Sequence, residues 1–268
     1  MWVIKLGGGE GNALEPALLE LARRWHDGQR WVLVHGGSAR TNEVATALGH
    51  PPRFVTSPAG YTSRRTDAET AQIFTMVVAG DLNKQIVRRL QALGVDALGL
   101  SGLDGRLLEA RRKRALRVVE NGRQRILRDD YTGTVKRVNA DLLRSLLDQG
   151  YAPVICPPAL GEDHEALNVD GDRAAAAIAS ALGAQRLLLL TGAPGLLRDA
   201  EMPESVIPSL DRTHLEQATR DYAQGRMRLK LRAAGEALEG GVGAVHIAAS
   251  DRPDPLSRSL AGEGTVIR

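Results

Sequence analysis

The sequence has one cysteine, no long apolar run and few aromatic side chains. Cys156 stands alone, so the chain cannot form an intrachain disulfide. It falls in the apolar run of residues 151–156, where a small buried hydrophobe is a better interpretation than a nucleophile. No window approaches the ~20 apolar residues that a membrane-spanning helix requires. Residues 1–5 lead straight into glycines, which predicts a strand and not a signal peptide. These absences favour a cytoplasmic protein.

Aromatic residues make up 3% of the 268 residues, so the predicted core consists of Leu, Val, Ile and Ala. The shortage argues against binding of single-stranded nucleic acid, which relies on aromatic side chains that stack on bases. A formal charge of +3 is too small to indicate a nucleic-acid partner by itself. The length suits one large α/β domain or two small ones.

The signatures of several enzyme classes are also missing. The sequence has no G-x-x-x-x-G-K-[ST] loop, no G-x-S-x-G turn and no G-x-G-x-x-G after the first predicted strand. Its 6 histidines are scattered, and no cluster has the spacing of zinc ligands. We therefore exclude Walker-type phosphate binding, a Rossmann dehydrogenase and a serine hydrolase, and we predict no metal site built by the protein.

Apolar strands alternate with helical patterns along most of the chain. The predicted strands are residues 2–6, 31–34, 97–100, 152–156, 187–190 and 244–248. The predicted helices are residues 12–26, 38–48, 68–93 (broken near Gly80), 142–147, 171–182 and 226–238. Such alternation indicates a largely parallel sheet covered on both faces, with ligands beyond the carboxyl ends of the strands.

Residues 106–137 break this pattern because they are rich in Arg and Lys. Asn121-Gly122 is a strong hairpin signal, and residues 116–119 and 124–127 alternate as half-exposed strands would. We predict a basic excursion of β-hairpins on the surface.

The first glycine-rich turn follows the first predicted strand. Lys5 lies in the last part of that strand, and Gly7, Gly8 and Gly9 follow. A turn without side chains lets backbone N–H groups reach a phosphate, and the lysine adds a positive charge. The alternative is a tight turn beside an exposed lysine.

The second turn, His35-Gly36-Gly37-Ser38, has the same strand–turn–helix form. The amino end of a helix offers free N–H groups and favours an anion, and Ser38 is predicted to cap the helix. His35 is either a base or, in the interpretation we favour, a side chain that orients the turn. The two turns together favour the binding of phosphate groups.

Charged residues mark two further helix starts. Asn168, Asp170 and Asp172 open the Ala-rich helix; one carboxylate suffices as a cap, which leaves Asp172 free to hold lysines and Asn168 to grip a substrate. Residues 225–230 begin another helix with several cations, including Lys230. Cations at an amino end are unfavourable unless an anion is present, so a phosphate is one interpretation and a solvated basic face is the other.

Taken in order, these motifs resemble those of the amino acid kinase family, and of acetylglutamate kinases in particular. They span nearly the whole chain: Lys5-Leu6-Gly7-Gly8, His35-Gly36-Gly37, Arg64-Arg65-Thr66-Asp67, and residues 99–105, 168–172 and 227–230. Residues 35–42, 48–54 and 130–135 are similar to one branch, the [LysW]-aminoadipate kinases. Ser38 stands where acetylglutamate kinases typically have a third glycine, and they have a shorter link before the arginine that matches Arg64.

The resemblance implies an α/β fold: a three-layer αβα sandwich with an open, mainly parallel eight-stranded sheet. Residues 1–268 would form one domain, with the acyl substrate on residues 1–165 and ATP on residues 166–268. By the same resemblance Lys5 and Lys230 stabilise the transition state, and Asp172 organises them. The expected substrate-binding residues are Gly36, Gly37, Arg64 and Asn168. The expected ATP-binding residues are Gly7, Gly8, Thr191, Gly192, Gly195 and Leu196.

A carboxylate acceptor is already ionised, so the expected reaction needs no general base. Mg²⁺ would be held mostly by the oxygens of ATP. In the suspected branch an acidic carrier protein caps the substrate's amino group, and Arg111, Arg112 and Arg114 of the basic excursion are the expected contacts. The family implies a homodimer without nucleic-acid or membrane partners. Two alternatives stay open: an N-acetylglutamate kinase of arginine biosynthesis, or a kinase that acts on both acceptors, and a non-catalytic regulatory or nucleic-acid-binding protein that uses the basic hairpin.

Overall fold

The computed structural model describes residues 1–9, 12–58, 60–120 and 123–268. The predicted hairpin turn at Asn121-Gly122 lies outside these residues. The described strands are β1 (Trp2–Leu6), β2 (Trp31–His35), β3 (Phe54–Thr56), β4 (Thr62–Arg64), β5 (Ala97–Gly102), β6 (Leu108–Arg112), β7 (Leu116–Glu120), β8 (Arg123–Leu127), β9 (Gly133–Val138), β10 (Ala152–Leu160), β11 (Ala166–Asn168), β12 (Arg186–Thr191), β13 (Ser209–Leu210), β14 (Ala244–Ala249) and β15 (Thr265–Ile267).

The described helices include all the predicted ones and two, α7 and α9, that the apolar periodicity did not predict. They are α1 (Glu15–His26), α2 (Ser38–Ala47), α3 (Ala68–Thr75), α4 (Asn83–Ala92), α5 (Ala140–Asp148), α6 (Gly171–Leu182), α7 (Leu215–Asp221), α8 (Arg226–Glu239) and α9 (Pro255–Leu260). Within the described ranges, no helix has both the length and the apolarity needed to cross a membrane.

The main sheet contains eleven of the described strands, in the order β13-β15-β14-β12-β1-β2-β10-β6-β9, with β5 and β11 also paired to β10. Its centre is parallel: β14, β12, β1, β2 and β10 are joined by parallel pairs. The pairs β14–β15, β10–β11 and β6–β9 are antiparallel. The main sheet therefore has eleven described strands where eight were expected, and it mixes parallel and antiparallel pairs. The added strands β11, β13 and β15 have only two or three residues, too few for a recognisable apolar run.

Helices cover both faces of the central strands. Every residue of β1 and of β2 is buried, which requires cover on both sides because side chains alternate between the faces. One group of helices that contact each other contains α1, α4 and α9, and another contains α5, α6 and α8. The α/β class and the layered arrangement predicted from the sequence are present.

The basic excursion divides between two sheets. Strands β6 and β9 extend the main sheet, whereas β7 and β8 join β3 and β4 in a separate four-stranded sheet ordered β4-β3-β7-β8. The prediction of hairpins lying wholly on the surface is wrong for β6, because Leu108 and Ala110 are buried in the core. In β8 the described side chains are mostly exposed.

The long helical segment after residue 67 continues through Gly80 without the predicted break. A π-helical stretch, Met76–Leu82, joins α3 to α4. π-helical turns insert one extra residue per turn and rotate the face that follows. The following helix places Asn83 in the interior, where its Nδ2 donates to the carbonyl of Val154 at 3.0 Å.

Candidate active site

The first glycine-rich turn leaves the sheet at its centre. β1 lies between β12 and β2, and Gly7 N continues the pairing by donating to Leu190 O at 2.9 Å. Lys5 precedes the turn and is 7% exposed. The alternative of an exposed lysine beside the turn is therefore wrong.

The two glycine-rich turns pack backbone against backbone. A Cβ added at Gly8 would lie 1.9 Å from Gly37 N and 2.3 Å from Gly36 C, closer than any side chain permits. Ala39 N donates to Gly8 O at 2.8 Å. Glycine is required here by proximity, and the contact fixes the second turn relative to Lys5.

Ser38 does not cap α2, contrary to the prediction. Gly37 is the N-cap residue, without a side-chain cap, and Ser38 is the first residue of the helix. Its Oγ donates to Gly8 O at 3.0 Å. The hydroxyl therefore joins the two turns, a contact that helix-capping rules do not anticipate.

Asp172 lies between Lys5 and Lys230. Lys5 Nζ is 2.7 Å from Asp172 Oδ1, and Lys230 Nζ donates to Asp172 Oδ2 at 2.7 Å. These three side chains are 9% exposed or less. Residues from β1, α6 and α8, which are far apart in sequence, thus form one compact charged centre.

Burial and charge act in opposite directions in this centre. Burial by itself would raise the pKa of Asp172, but the ammonium groups of Lys5 and Lys230 hold it well below its usual range. Burial lowers the pKa of Lys230, and Asp172 opposes that change. The carboxylate offsets the cost of burying the two ammonium groups, and the formal charges of these three side chains sum to one positive charge that an anion can neutralise.

Asp170 supplies the helix cap, so the two carboxylates have separate roles. Its side chain accepts from Arg173 N at 2.9 Å at the start of α6. Burial, followed by the neighbouring charge of Asp172, raises the pKa of Asp170.

His35 is a neutral, buried side chain that supports the second turn. Its Nδ1 lies 2.9 Å from Gly36 O, and its Nε2 lies 3.1 Å from Asn83 Nδ2. Burial lowers its pKa to about 4. These contacts support the interpretation of His35 as an orienting residue and leave no nitrogen free to act as a base. Asn83 belongs to none of the sequence motifs, because its role depends on contacts with distant residues.

Arg64 points its guanidinium at the second turn. Its Nη2 donates to Ser38 O at 3.1 Å, and its Cζ lies 5.5 Å from the ring centre of Phe54. Nη1 is buried and has no hydrogen-bond partner among the described residues. A buried guanidinium with an unpaired N–H group fits a carboxylate ligand.

Asn168 lies at the end of β11, two residues before the cap of α6. Its Nδ2 donates to Thr66 Oγ1 at 3.1 Å. The buried carboxylate of Asp130 accepts from Thr66 N at 3.1 Å and from Thr132 N at 2.9 Å. These bonds hold Thr66, the partner of Asn168, in place. Asp130 opens the 130–135 motif, and the structure assigns it a supporting role that the motif alone does not indicate.

The loop of residues 191–196 follows β12, beside the first turn. Thr191 and Gly192 are accessible. Leu196 is fully buried in the core, and a Cβ at Gly195 would lie 2.8 Å from Thr265 Oγ1. Of the predicted ATP-binding residues, Leu196 and Gly195 thus pack behind the loop and support it, because their surroundings leave no space for a ligand at the side-chain position.

The three arginines predicted to contact a carrier differ from one another. Arg112 Nε donates to Asp130 O at 2.8 Å, and its Cζ stacks 3.7 Å from the ring centre of Tyr131. It is held within the structure and is a poor contact for a partner. Arg111 and Arg114 are exposed and pair with acidic residues of the 161–165 loop, Arg111 with Glu162 and Arg114 with Asp163.

The residues present fit the phosphates of a nucleotide. The glycine turns bring backbone close to two buried lysines, which is the arrangement that phosphoryl groups require. Among the described residues, no three His, Cys, Asp or Glu side chains are grouped as metal ligands.

Comparisons with known proteins agree with this geometry. The model of the amino acid kinase family matches residues 1–249. The chain is 52% identical over its whole length to the [LysW]-aminoadipate kinase of Deinococcus radiodurans, with 91% of that protein covered. It is 48% identical to the [LysW]-aminoadipate kinase of Thermus thermophilus, with all of both chains covered. It is also 42% identical to the acetylglutamate kinase of Methanopyrus kandleri, again over the whole of both chains.

A solved structure shows the same fold. The crystal structure of smu.665 from Streptococcus mutans UA159 superposes with a TM-score of 0.78 at 22% identity, and the match covers 99% of this chain and 97% of that one. A whole-length match of this kind, together with the family model and the relatives, accounts for the order of elements and for the position of the motifs. The chain belongs to the amino acid kinase family, and it is a kinase of that family.

Proposed function

We propose that the chain transfers the γ-phosphoryl group of ATP to the side-chain carboxylate of α-aminoadipate held on an acidic amino-group carrier protein. The product is an acyl phosphate, formed during lysine biosynthesis. The relatives named [LysW]-aminoadipate kinase support the acceptor. The observation that carries the chemistry is Asp172 between two buried lysines.

The chemistry follows from charge. Both the acceptor carboxylate and the γ-phosphoryl group are anions, so repulsion and charge on the transferring group are the main obstacles. Lys5 and Lys230 neutralise that charge, and the backbone N–H groups of the turns add fixed dipoles. The acceptor is ionised at neutral pH and needs no base, which agrees with the neutral, fully engaged His35. Mg²⁺ supplies further neutralisation when it enters with ATP.

The two halves of the chain divide the substrates in this proposal. Residues 1–165 hold the acceptor through Gly36, Gly37 and Arg64, with Asn168 from the other half completing the pocket. Residues 166–268 hold ATP through Thr191 and Gly192, while Gly7 and Gly8 lie against the phosphates. We also propose a homodimer that acts in the cytoplasm, as the family resemblance implies.

The acidic carrier would dock near Arg111 and Arg114. Both guanidinium groups are exposed, and both contact the 161–165 loop, which joins β10 to β11 and so leads to Asn168. Charge of this kind accelerates association and fixes orientation more than it adds affinity.

An ADP-release assay tests the acceptor. We expect turnover with carrier-linked aminoadipate and much less with free N-acetylglutamate. N-acetylglutamate kinase is the second candidate, because the acetylglutamate kinase relative covers the whole chain. The two acceptors differ by one methylene and by the carrier; a methylene discriminates by only ~1–3 kcal/mol, so carrier-linked glutamate is the necessary third substrate. Equal or better turnover of N-acetylglutamate would overturn the proposed acceptor.

A further inference from the structure

Two arginines from distant parts of the chain contact Ser38. Arg64 Nη2 donates to Ser38 O at 3.1 Å, and Arg226 Nη1 donates to Ser38 Oγ at 3.3 Å. Arg226 also lies against the first turn, since a Cβ added at Gly9 would be 2.8 Å from its Nη1. The guanidinium of Arg226 therefore contacts both glycine-rich turns.

The charges at this place do not cancel within the described residues. Neither Arg64 nor Arg226 forms an ion pair with a carboxylate of the described ranges. Arg64 is 8% exposed, and its Nη1 is buried without a hydrogen-bond partner. Burial, and after it the charge of Arg226, lowers the pKa of Arg64. The two guanidinium groups repel each other, and a buried N–H donor of Arg64 lacks an acceptor. A bound anion would satisfy both, so these residues indicate an anion site.

We propose that Arg226 is an acceptor-positioning residue which, with Arg64 and Ser38, binds the acceptor carboxylate that is not phosphorylated. This inference rests on the proposed function. The position of Arg226 extends the acceptor site from the half of the chain that carries Arg64 to helix α8.

The chemistry of the site favours a carboxylate over a phosphate. A guanidinium presents parallel N–H groups that match the oxygens of either a carboxylate or a phosphate, so the other charges nearby decide between the two anions. The transferring phosphoryl group already has Lys5 and Lys230 beside the first turn. Ser38 begins α2, a ten-residue helix whose amino end adds a favourable dipole for an anion held there.

Helix α8 connects the proposed anion site to the charged centre. Arg226 and Lys230 are four residues apart, so both lie on the same face of α8. An acceptor carboxylate held by Arg226 would therefore fix the end of the helix that carries Lys230. Binding of the carboxylate that is not phosphorylated would thus help to align Lys230 with the carboxylate that is.

The test compares two acceptors that differ only at the proposed ligand group. One is the carrier-linked acceptor with its free α-carboxylate, and the other is the same acceptor with an α-carboxamide. For Arg226→Ala, we expect kcat/KM to fall roughly 10- to 100-fold on the carboxylate, the range for loss of a hydrogen bond to a charged group. On the carboxamide we expect a fall of at most about threefold, since the partner group is absent. KM for ATP should stay the same.

Two further variants complete the design. Arg226→Lys keeps the positive charge but lacks the paired N–H groups of a guanidinium, so its fall in kcat/KM on the carboxylate acceptor should be intermediate. This variant replaces Arg226→Ala in the test if Arg226→Ala does not fold. Arg232→Ala is the matched control, because Arg232 is an exposed arginine of the same helix whose Nε donates to Glu236 Oε1 at 3.2 Å. Arg232→Ala should leave kcat/KM unchanged on both the carboxylate and the carboxamide acceptor.

Equal losses on the carboxylate and carboxamide acceptors would overturn the inference, and so would a rise confined to KM for ATP. Either result would place Arg226 in the fold or at the nucleotide. Failure of the proposed function has a different signature: the wild-type enzyme would not turn over carrier-linked aminoadipate. The comparison of carboxylate with carboxamide would then use whichever acceptor the wild-type enzyme phosphorylates.

Discussion

Replacing Asp172 by asparagine would remove a carboxylate that contacts both buried lysines while keeping the size of the side chain. Each Nζ lies 2.7 Å from an Asp172 oxygen. At an effective dielectric constant of 20, each pair at that distance represents a gross attraction of about 6 kcal/mol. Desolvation offsets much of it, and breaking a buried pair by removing one partner costs about 3–5 kcal/mol. We expect a loss of that size in the free energy of unfolding.

The same substitution should lower kcat by about 10²-fold or more, because Lys5 and Lys230 would lose the group that spaces them and keeps them charged. Urea unfolding gives the stability difference, and ADP release gives kcat.

The pH dependence of stability follows from the pKa of Asp172. The folded pKa of Asp172 is depressed, so its contribution to stability is present above the unfolded value of about 3.9. The difference between wild type and Asp172→Asn should thus be constant from about pH 6 to 8. It should shrink as the pH falls towards the folded pKa. A variant within 1 kcal/mol of wild type that turns over normally would refute this account.

Other consequences are open to direct measurement. Burial lowers the pKa of Lys230, so kcat should decline on the alkaline side below the usual lysine value of about 10.4, and a flat profile up to that pH would count against a catalytic ammonium group. Gly8→Ala should destabilise the fold by about 2 kcal/mol or more, because its Cβ meets the backbone of the second turn; the control Gly80→Ala, with open space around it, should not. The double variant Arg111→Ala/Arg114→Ala should raise KM for the carrier-linked acceptor several-fold at low salt only, and an unchanged KM would contradict the docking surface.

Local sequence signals found the charged centre because each of its members stands beside a recognisable boundary. Lys5 ends an apolar strand before glycines, Asp172 opens an Ala-rich helix, and Lys230 lies one turn into another helix. The strands at the centre of the sheet were predictable for a similar reason, since they are continuous apolar runs. Short edge strands were not, because a strand of two or three residues is specified by its neighbours and has no period of its own.

Local sequence signals do not predict the roles of residues that depend on contacts across the fold. Arg226 and Ser38 are separated by 188 positions, and only the fold brings the guanidinium to the hydroxyl. Asp130 supports Thr66 from a segment 64 positions away. Arg112 carries a charge that suggested a partner, yet it stacks on Tyr131. Sequence patterns reveal where charge lies along the chain; they do not reveal which charges the fold has already paired.

The most direct test of the central claim is acyl phosphate formation, measured by trapping with hydroxylamine, using ATP, Mg²⁺ and carrier-linked aminoadipate. The wild-type enzyme should give a hydroxamate in proportion to ADP. Lys5→Ala and Lys230→Ala should each lower the rate by about 10²-fold or more, the scale on which removal of one transition-state donor acts. Near-normal hydroxamate formation in both variants would contradict the account.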